Sequence, residues 1–280
     1  MINAQSIAVR STGTKRAFTV LELLLAVTLL SLITYALYSM FSQTQKALHA
    51  NVSQTDVSEG ARASLDLLVR DLEQAVPSKI FGMTNFIATR SALGGVIQQT
   101  LDANVNRTNL VQEIFFLTKF NRDFIGIGYR VTGVVGGVGT LSRFMITTNA
   151  SQLAANNLLR AFNSAEGTNL QRVADGVIHL RVIPYDVNGR IQLLNATSPL
   201  DKNVRVINIR TLVMDPYPTD FSYSEGALPP YLDLEVAFLE PSAFEQYRSM
   251  PAPAQQGFLN RNLSKVHIFR QRIALHSAPQ

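Results

Sequence analysis

The stretch FTVLELLLAVTLLSLITYALYSMF, residues Phe18–Phe41, decides how the rest of the chain is read. It is long enough to cross a bilayer as a helix, which takes about 20 apolar residues. Arg10, Lys15 and Arg16 precede it, with no acid among them. Basic residues flanking a span stay in the cytoplasm, so the N-terminus is expected there and everything after Phe41 on the far side. A secretory signal would have a shorter apolar region, about 7–15 residues, then a small-residue cleavage site. The run here is longer, and the nearest such site, Leu48-His49-Ala50, is a poor one.

One residue separates this segment from a plain anchor. Glu22 is the single charged side chain between Val20 and Gln45. A carboxylate in an apolar helix costs a few kcal/mol to insert, so such residues sit at the membrane edge or have a partner. The surrounding residues, Lys15-Arg16-Ala17-Phe18-Thr19-Val20-Leu21-Glu22-Leu23-Leu24, resemble the type III signal of the type IV pilin and pseudopilin superfamily. The resemblance implies a leader, residues 1–17, that a prepilin peptidase removes between Ala17 and Phe18. It implies N-methylation of Phe18 and an assembly role for Glu22, the fifth residue of the mature chain. The family usually has glycine before the cut; this chain has Ala17. In a packed fibre, Glu22 of one subunit would pair with the Phe18 amine of the next. That would neutralise two charges, each costly alone in an apolar bundle.

The helical pattern continues beyond the span. Ala61, Leu65, Leu68, Leu72 and Val76 recur on one helical face, and Arg62, Asp66, Arg70 and Glu73 form a stripe of alternating sign on another. No proline interrupts Phe18–Val76, and Pro77 disfavours helix in the residue before it. The expectation is one helix from 18 to about 75, some 85 Å long at about 1.5 Å per residue. Its 18–41 half would be transmembrane and its 42–76 half amphipathic. Within the superfamily, SEGARASLDLLVRDLEQAV (Ser58–Val76) is similar to the corresponding stretch of pseudopilin J of type II secretion. This implies a structural minor pseudopilin; the alternative is a minor pilin of a type IV pilus or DNA-uptake fibre.

Residues 77–280 read as a β-rich head. Strands are expected at Glu113–Phe120, Ile125–Thr132, Leu141–Thr148, Val177–Asp186, Val204–Val213, Tyr231–Leu239 and Val266–Leu275. Asn188-Gly189 signals a hairpin turn, as does the glycine-rich run Gly133–Gly139. Helices are expected at Ser151–Phe162 and from Ser242, where Ser242-Ala243-Phe244-Glu245 has the form of a capping box. Asp215–Pro230 and Pro251–Gly257 read as loops. The fold class is α+β: a long N-terminal helix packed on a mostly antiparallel, pilin-like β head.

Composition narrows the chemistry. There is no cysteine, hence no disulfide, thiolate metal site or cysteine nucleophile. The net charge is +5, and removing Arg10, Lys15 and Arg16 leaves +2 without a basic run, so no nucleic-acid partner is expected. Gly133–Gly139 lacks the Lys-Ser/Thr of a phosphate loop. His49, His179, His267 and His276 lack metal-ligand spacing. Asp215 and Asp220 could bind calcium, but the alternation of oxygen ligands with a glycine is missing and a plain loop ranks above it. The sequons at Asn51, Asn106, Asn195 and Asn262 carry no weight in a bacterial host, which the leader implies. The chain is therefore read as no enzyme, without cofactor or metal. Its expected partners are prepilin peptidase, sister pseudopilins or minor pilins, and inner-membrane lipid. Its expected location is the bacterial inner membrane, single-pass, with a periplasmic or extracytoplasmic head. The competing class is an anchored extracytoplasmic enzyme or binding protein, with an intact N-terminus and a ligand pocket.

Overall fold

The structure, a computed structural model, describes residues 19–91, 97–102, 105–121, 123–148, 157–165, 169–192, 204–207 and 219–275. The chain divides into two units, residues 1–52 and 53–280. Helix α1, Val20–Glu73, is continuous through that boundary. After it come β1 (Thr84–Arg90), β2 (Ile97–Asp102), β3 (Val105–Asn109), β4 (Gln112–Phe120), β5 (Asp123–Val135), β6 (Val138–Thr148), α2 (Asn157–Asn163) and β7 (Leu170–Tyr185). The chain closes with β8 (Val204–Ile207), β9 (Asp220–Ser224), β10 (Tyr231–Leu239), α3 (Pro241–Ser249), α4 (Ala252–Arg261) and β11 (Val266–Ala274). The α+β class expected from sequence is observed.

Nine strands form one antiparallel sheet in the order β11-β10-β7-β6-β5-β4-β1-β9-β8, while β2 and β3 form a separate hairpin. The large sheet curls. A parallel bridge, Val111↔Leu180, joins the start of β4 directly to β7 across the two strands between them. Buried Gln112 locks this closure: its Oε1 accepts from the Val182 N–H at 2.7 Å and its Nε2 donates to the Thr219 carbonyl at 2.7 Å. A buried amide is tolerated when both its ends are paired in this way.

The periodicity of α1 is explained by the concave face. Ala61, Leu65, Leu68 and Leu72 are buried against Phe86, Phe116, Tyr129, Leu180 and Leu234, while Arg62, Asp66, Arg70 and Glu73 are exposed. Each buried leucine contributes about 1.5–3 kcal/mol. The helix ends by tightening: the N–H groups of Gln74 and Ala75 donate to carbonyls three residues back, and the Val76 N–H turns to the Leu117 carbonyl. Pro77, which has no N–H to offer, comes next.

Alternation along the strands builds the second face. Phe116 points to α1, whereas Phe115 and Leu117 pack with Phe144, Leu158 and Phe162 under α2. Any β-carbon on Gly128 would collide with the Phe162 ring, so β5 carries glycine where α2 lies on it. Arg130 closes the end of α2, donating to the Phe162 and Ala165 carbonyls at 2.7 and 3.2 Å. A cation there complements the helix dipole. Between β5 and β6 the two-residue turn Gly136-Gly137 has φ of 56° and 93°, the double positive φ that this hairpin requires.

Several expectations are corrected. The stretch 215–230 is not all loop: Asp220–Ser224 is β9, pairing with β1 through Phe221 and Tyr223. Its flanking prolines mask a five-residue alternation. β1 itself is not expected from sequence; Phe86 and Ala88 are buried on one face, Asn85 is buried and Ile87 half-buried on the other, so no clean alternation betrays it. The capping box at Ser242 does not form. α3 begins one residue earlier at Pro241, whose fixed φ suits a first turn, and Glu240 is its N-cap without a side-chain bond. Pro251–Gly257 is not a loop: Pro251 is the N-cap of α4 and 252–257 are its first turns, with Pro253 where a missing N–H is no loss. After Asn188-Gly189 the chain makes one bridge, Tyr185↔Ile191, within the described residues. Residues 151–156 and 208–213 of the expected helix and strand lie outside them.

Candidate functional site

Ala17 and Phe18, the expected cleavage and methylation positions, lie outside the described residues. Within α1, Val20–Leu48 is long and apolar enough to cross a membrane, with none of its most apolar window buried. Four of its hydroxyls are satisfied within the helix. Thr28, Ser31, Thr34 and Thr44 donate to the carbonyls of Leu25, Val27, Leu30 and Met40 at 2.8–2.9 Å. In hydrocarbon that removes the cost of unpaired donors.

Glu22 has a partner that sequence reading missed. Its Oε2 accepts from the backbone N–H and from the hydroxyl of Thr19, both at 3.0 Å. The Glu22 N–H in turn donates to Thr19 Oγ1 at 3.3 Å. Thr19 is thus the N-cap and Glu22 the N3 residue of a reciprocal capping box. Thr19-Val20-Leu21-Glu22 carries its sequence signature, a threonine three residues before a glutamate, at the head of an apolar run. A carboxylate in the first turn also faces the positive end of the helix dipole. Glu22 is therefore held in place within its own chain before any second subunit is considered.

Among the described residues, the second unit holds three polar clusters built around the buried acids Asp71, Glu235 and Asp233. In the first, Asp71 of α1 accepts from the Tyr129 hydroxyl at 2.5 Å and from Arg143 Nε at 2.6 Å, tying the helix to β5 and β6. Burial, then the hydrogen bond to Asp71, push the Tyr129 hydroxyl far above its usual range. In the second, His179 Nδ1 accepts the Leu110 N–H at 2.9 Å. The ring proton then sits on Nε2, which faces Glu235 Oε2 at 3.3 Å. Burial alone would raise the Glu235 carboxyl; the His179 hydrogen bond, with Arg270 and Arg181 nearby, outweighs it and holds the group well below the usual carboxylate range. In the third, Arg272 Nε and Nη2 grip both oxygens of Asp233 at 2.6 and 2.9 Å and lower its pKa.

Beside these lies a groove of about 320 Å³ lined by Gly60, Ala61, Val173, Phe238, Phe244 and Glu245, among others. Among the described residues no three His, Asp or Glu gather closely enough to hold a metal ion. Asp220, one of the two calcium candidates, is a strand residue whose Oδ1 accepts the Arg90 N–H at 2.7 Å; Asp215 is outside the described residues. His267 pairs with Glu240 at 3.2 Å, and His276 is not described. No protein-family model matches the chain, and no curated protein matches it.

Proposed function

We propose that the chain is a membrane-anchored structural subunit of a pilin-like fibre, most similar to a minor pseudopilin of a type II secretion system. A prepilin peptidase would cut it between Ala17 and Phe18 and methylate Phe18. The observation that carries this reading is a single helix, Val20–Glu73, that changes character along its length. Its first part is apolar and exposed, and its last turns supply a wall of the core of an antiparallel sheet. Such a helix suits an anchor and a head at once, and the signal-like stretch Lys15–Leu24 runs into its first turn. Glu22 adds support, since a charged residue that inserts at a cost of a few kcal/mol calls for a use. A minor pilin of a type IV pilus or DNA-uptake fibre shares the same leader; the identity of co-purifying subunits separates the two.

The groove beside Gly60 favours a second reading, an anchored extracytoplasmic binding protein with an intact N-terminus. One experiment divides the two. The intact mass of the full chain, extracted from membranes of cells with and without an active prepilin peptidase, is expected to differ by residues 1–17 and one methyl group. Retention of Met1 in cells with active peptidase removes the fibre reading.

A further inference from the structure

Strand β11 closes one side of the sheet, and among the described residues no strand pairs with its outer edge. Open edges of this kind are templates for strand pairing, and proteins blunt them with charged side chains, prolines, bulges or very short strands. The charges of β11, Arg270 and Arg272, are exposed. β11 has no proline and no bulge and is not short, so its charges are left to choose what pairs with it. It pairs with β10 without a bulge from Tyr231↔Ala274 to Leu239↔Val266 and contains neither proline nor glycine. Ile268, midway along it, is 52% exposed.

The charges that lead across the sheet to this edge have an order, buried on β7 and β10 and exposed on β11. Arg181 on β7, Glu235 on β10 and Arg270 on β11 stand in register across three strands, and Arg270 is ion-paired to Glu235. One step along, Asp233 on β10 and Arg272 on β11 are in register and bonded through both carboxylate oxygens. The first row alternates in sign over three strands, the second is a single pair with Ile183 beyond it on β7, and both end on an arginine at the edge. Opposite charges facing each other across a strand pair stabilise it, and like charges destabilise it. The next strand in the series would therefore carry acids opposite Arg270 and Arg272.

We infer that β11 is a docking edge for an extended segment of a different protein, one bearing two acidic residues two positions apart. The backbone would supply affinity by adding a strand to the sheet, and the arginines would choose the partner. A second copy of this chain fits poorly: the register that pairs all nine residues of two β11 strands sets Arg270 against Arg270. The inference does not depend on processing at Ala17 or on fibre assembly.

The test uses the full chain in detergent micelles and a dye-labelled seven-residue peptide alternating threonine or valine with one aspartate and one glutamate two positions apart. Fluorescence anisotropy is expected to show saturable binding. The same peptide with alternate backbone nitrogens methylated, which cannot join a ladder, should not bind. The peptide with lysines in place of its acids should bind about tenfold more weakly. An R270E/R272E chain should reverse that preference. If that chain does not fold, the methylated and lysine peptides still decide on the unaltered chain. Equal binding of the methylated and parent peptides, equal binding of acidic and basic peptides, or no binding at millimolar peptide overturns the inference. So does dimerisation of the full chain that the acidic peptide abolishes, because it identifies a second copy as the occupant.

Discussion

Glu22 is bonded within its own first turn, to the Thr19 N–H and hydroxyl. Two substitutions separate this local role from the proposed contact between subunits. Glu22→Gln keeps an oxygen for the cap and removes the charge; Glu22→Ala removes both. Losing such a cap costs about 0.5–2 kcal/mol locally. Both variants should still enter the membrane, since neither carries a charge. On the fibre reading both lose co-purification with sister subunits. Loss in Glu22→Ala alone would assign the residue to the helix start. Glu235 allows a second test in the head. Against the effect of its burial, His179 and the neighbouring arginines hold its carboxyl down at about 2. It therefore stabilises the fold fully above the ordinary glutamate value of about 4.3. The contribution fades as the pH falls from there through the depressed folded-state value. Urea unfolding of the head should show stability dropping over that acid range. In Glu235→Gln the drop should be shallower, from a lower starting stability, because a buried partner of Arg270 and Arg181 has lost its charge.

Elements in this protein are placed by small residues and by buried polar atoms as much as by large apolar ones. α2 reaches β5 because Gly128 leaves room for Phe162. Gly128→Val should force that ring away and cost about 1–3 kcal/mol, as overpacking typically does. A midpoint shift in denaturant unfolding without a change of slope would confirm it. An unchanged midpoint would show that α2 is not docked on β5. Asp71 ties α1 to the sheet through Tyr129 and Arg143, a link that no pattern in the helix announces. Leu65, Leu68 and Leu72 are readable from spacing because a helix repeats every 3.6 residues and one face meets apolar surface. β1 and β9 are not readable. One puts Phe86-Ile87-Ala88 in an unbroken apolar run with polar Asn85 buried beside it, and the other is five residues long between prolines. β1 lacks the period-two alternation of a half-buried strand, and β9 has it over only five residues, Asp220–Ser224, too short a run to stand out between the prolines.

At the level of the molecule, the last turns of α1 belong to the core of the second unit. The fragment 42–280 keeps Ala61, Leu65, Leu68 and Leu72 and should be a soluble, folded monomer. A fragment starting at Pro77 lacks them. Each of its three missing leucines is worth about 1.5–3 kcal/mol, together comparable with the whole stability of a domain, so that fragment should not fold. Circular dichroism and light scattering check both statements. Mixed with sister heads from the same gene cluster, the 42–280 fragment should form hetero-complexes rather than homopolymers. If it ignores every sister head and binds a small molecule in the groove beside Gly60, the anchored binding protein becomes the better reading.

Sequence alone determined the features that depend on neighbours along the chain. They are an apolar run long enough to cross a membrane, one charge within it, an amphipathic continuation and a helix that stops before Pro77. It also carried the Thr19-Val20-Leu21-Glu22 capping signature, present in the residues though overshadowed by the offset of Glu22 from Ala17. The tertiary structure decided what depends on residues far apart. Asp71 meets Arg143 across 72 positions, His179 meets Leu110 across 69, and Glu235 meets Arg270 through strand register. The reason is physical. Periodicity and capping are set by bond geometry over one or two turns, whereas the partner of a buried charge and the strand left at the edge are set by how the whole sheet closes.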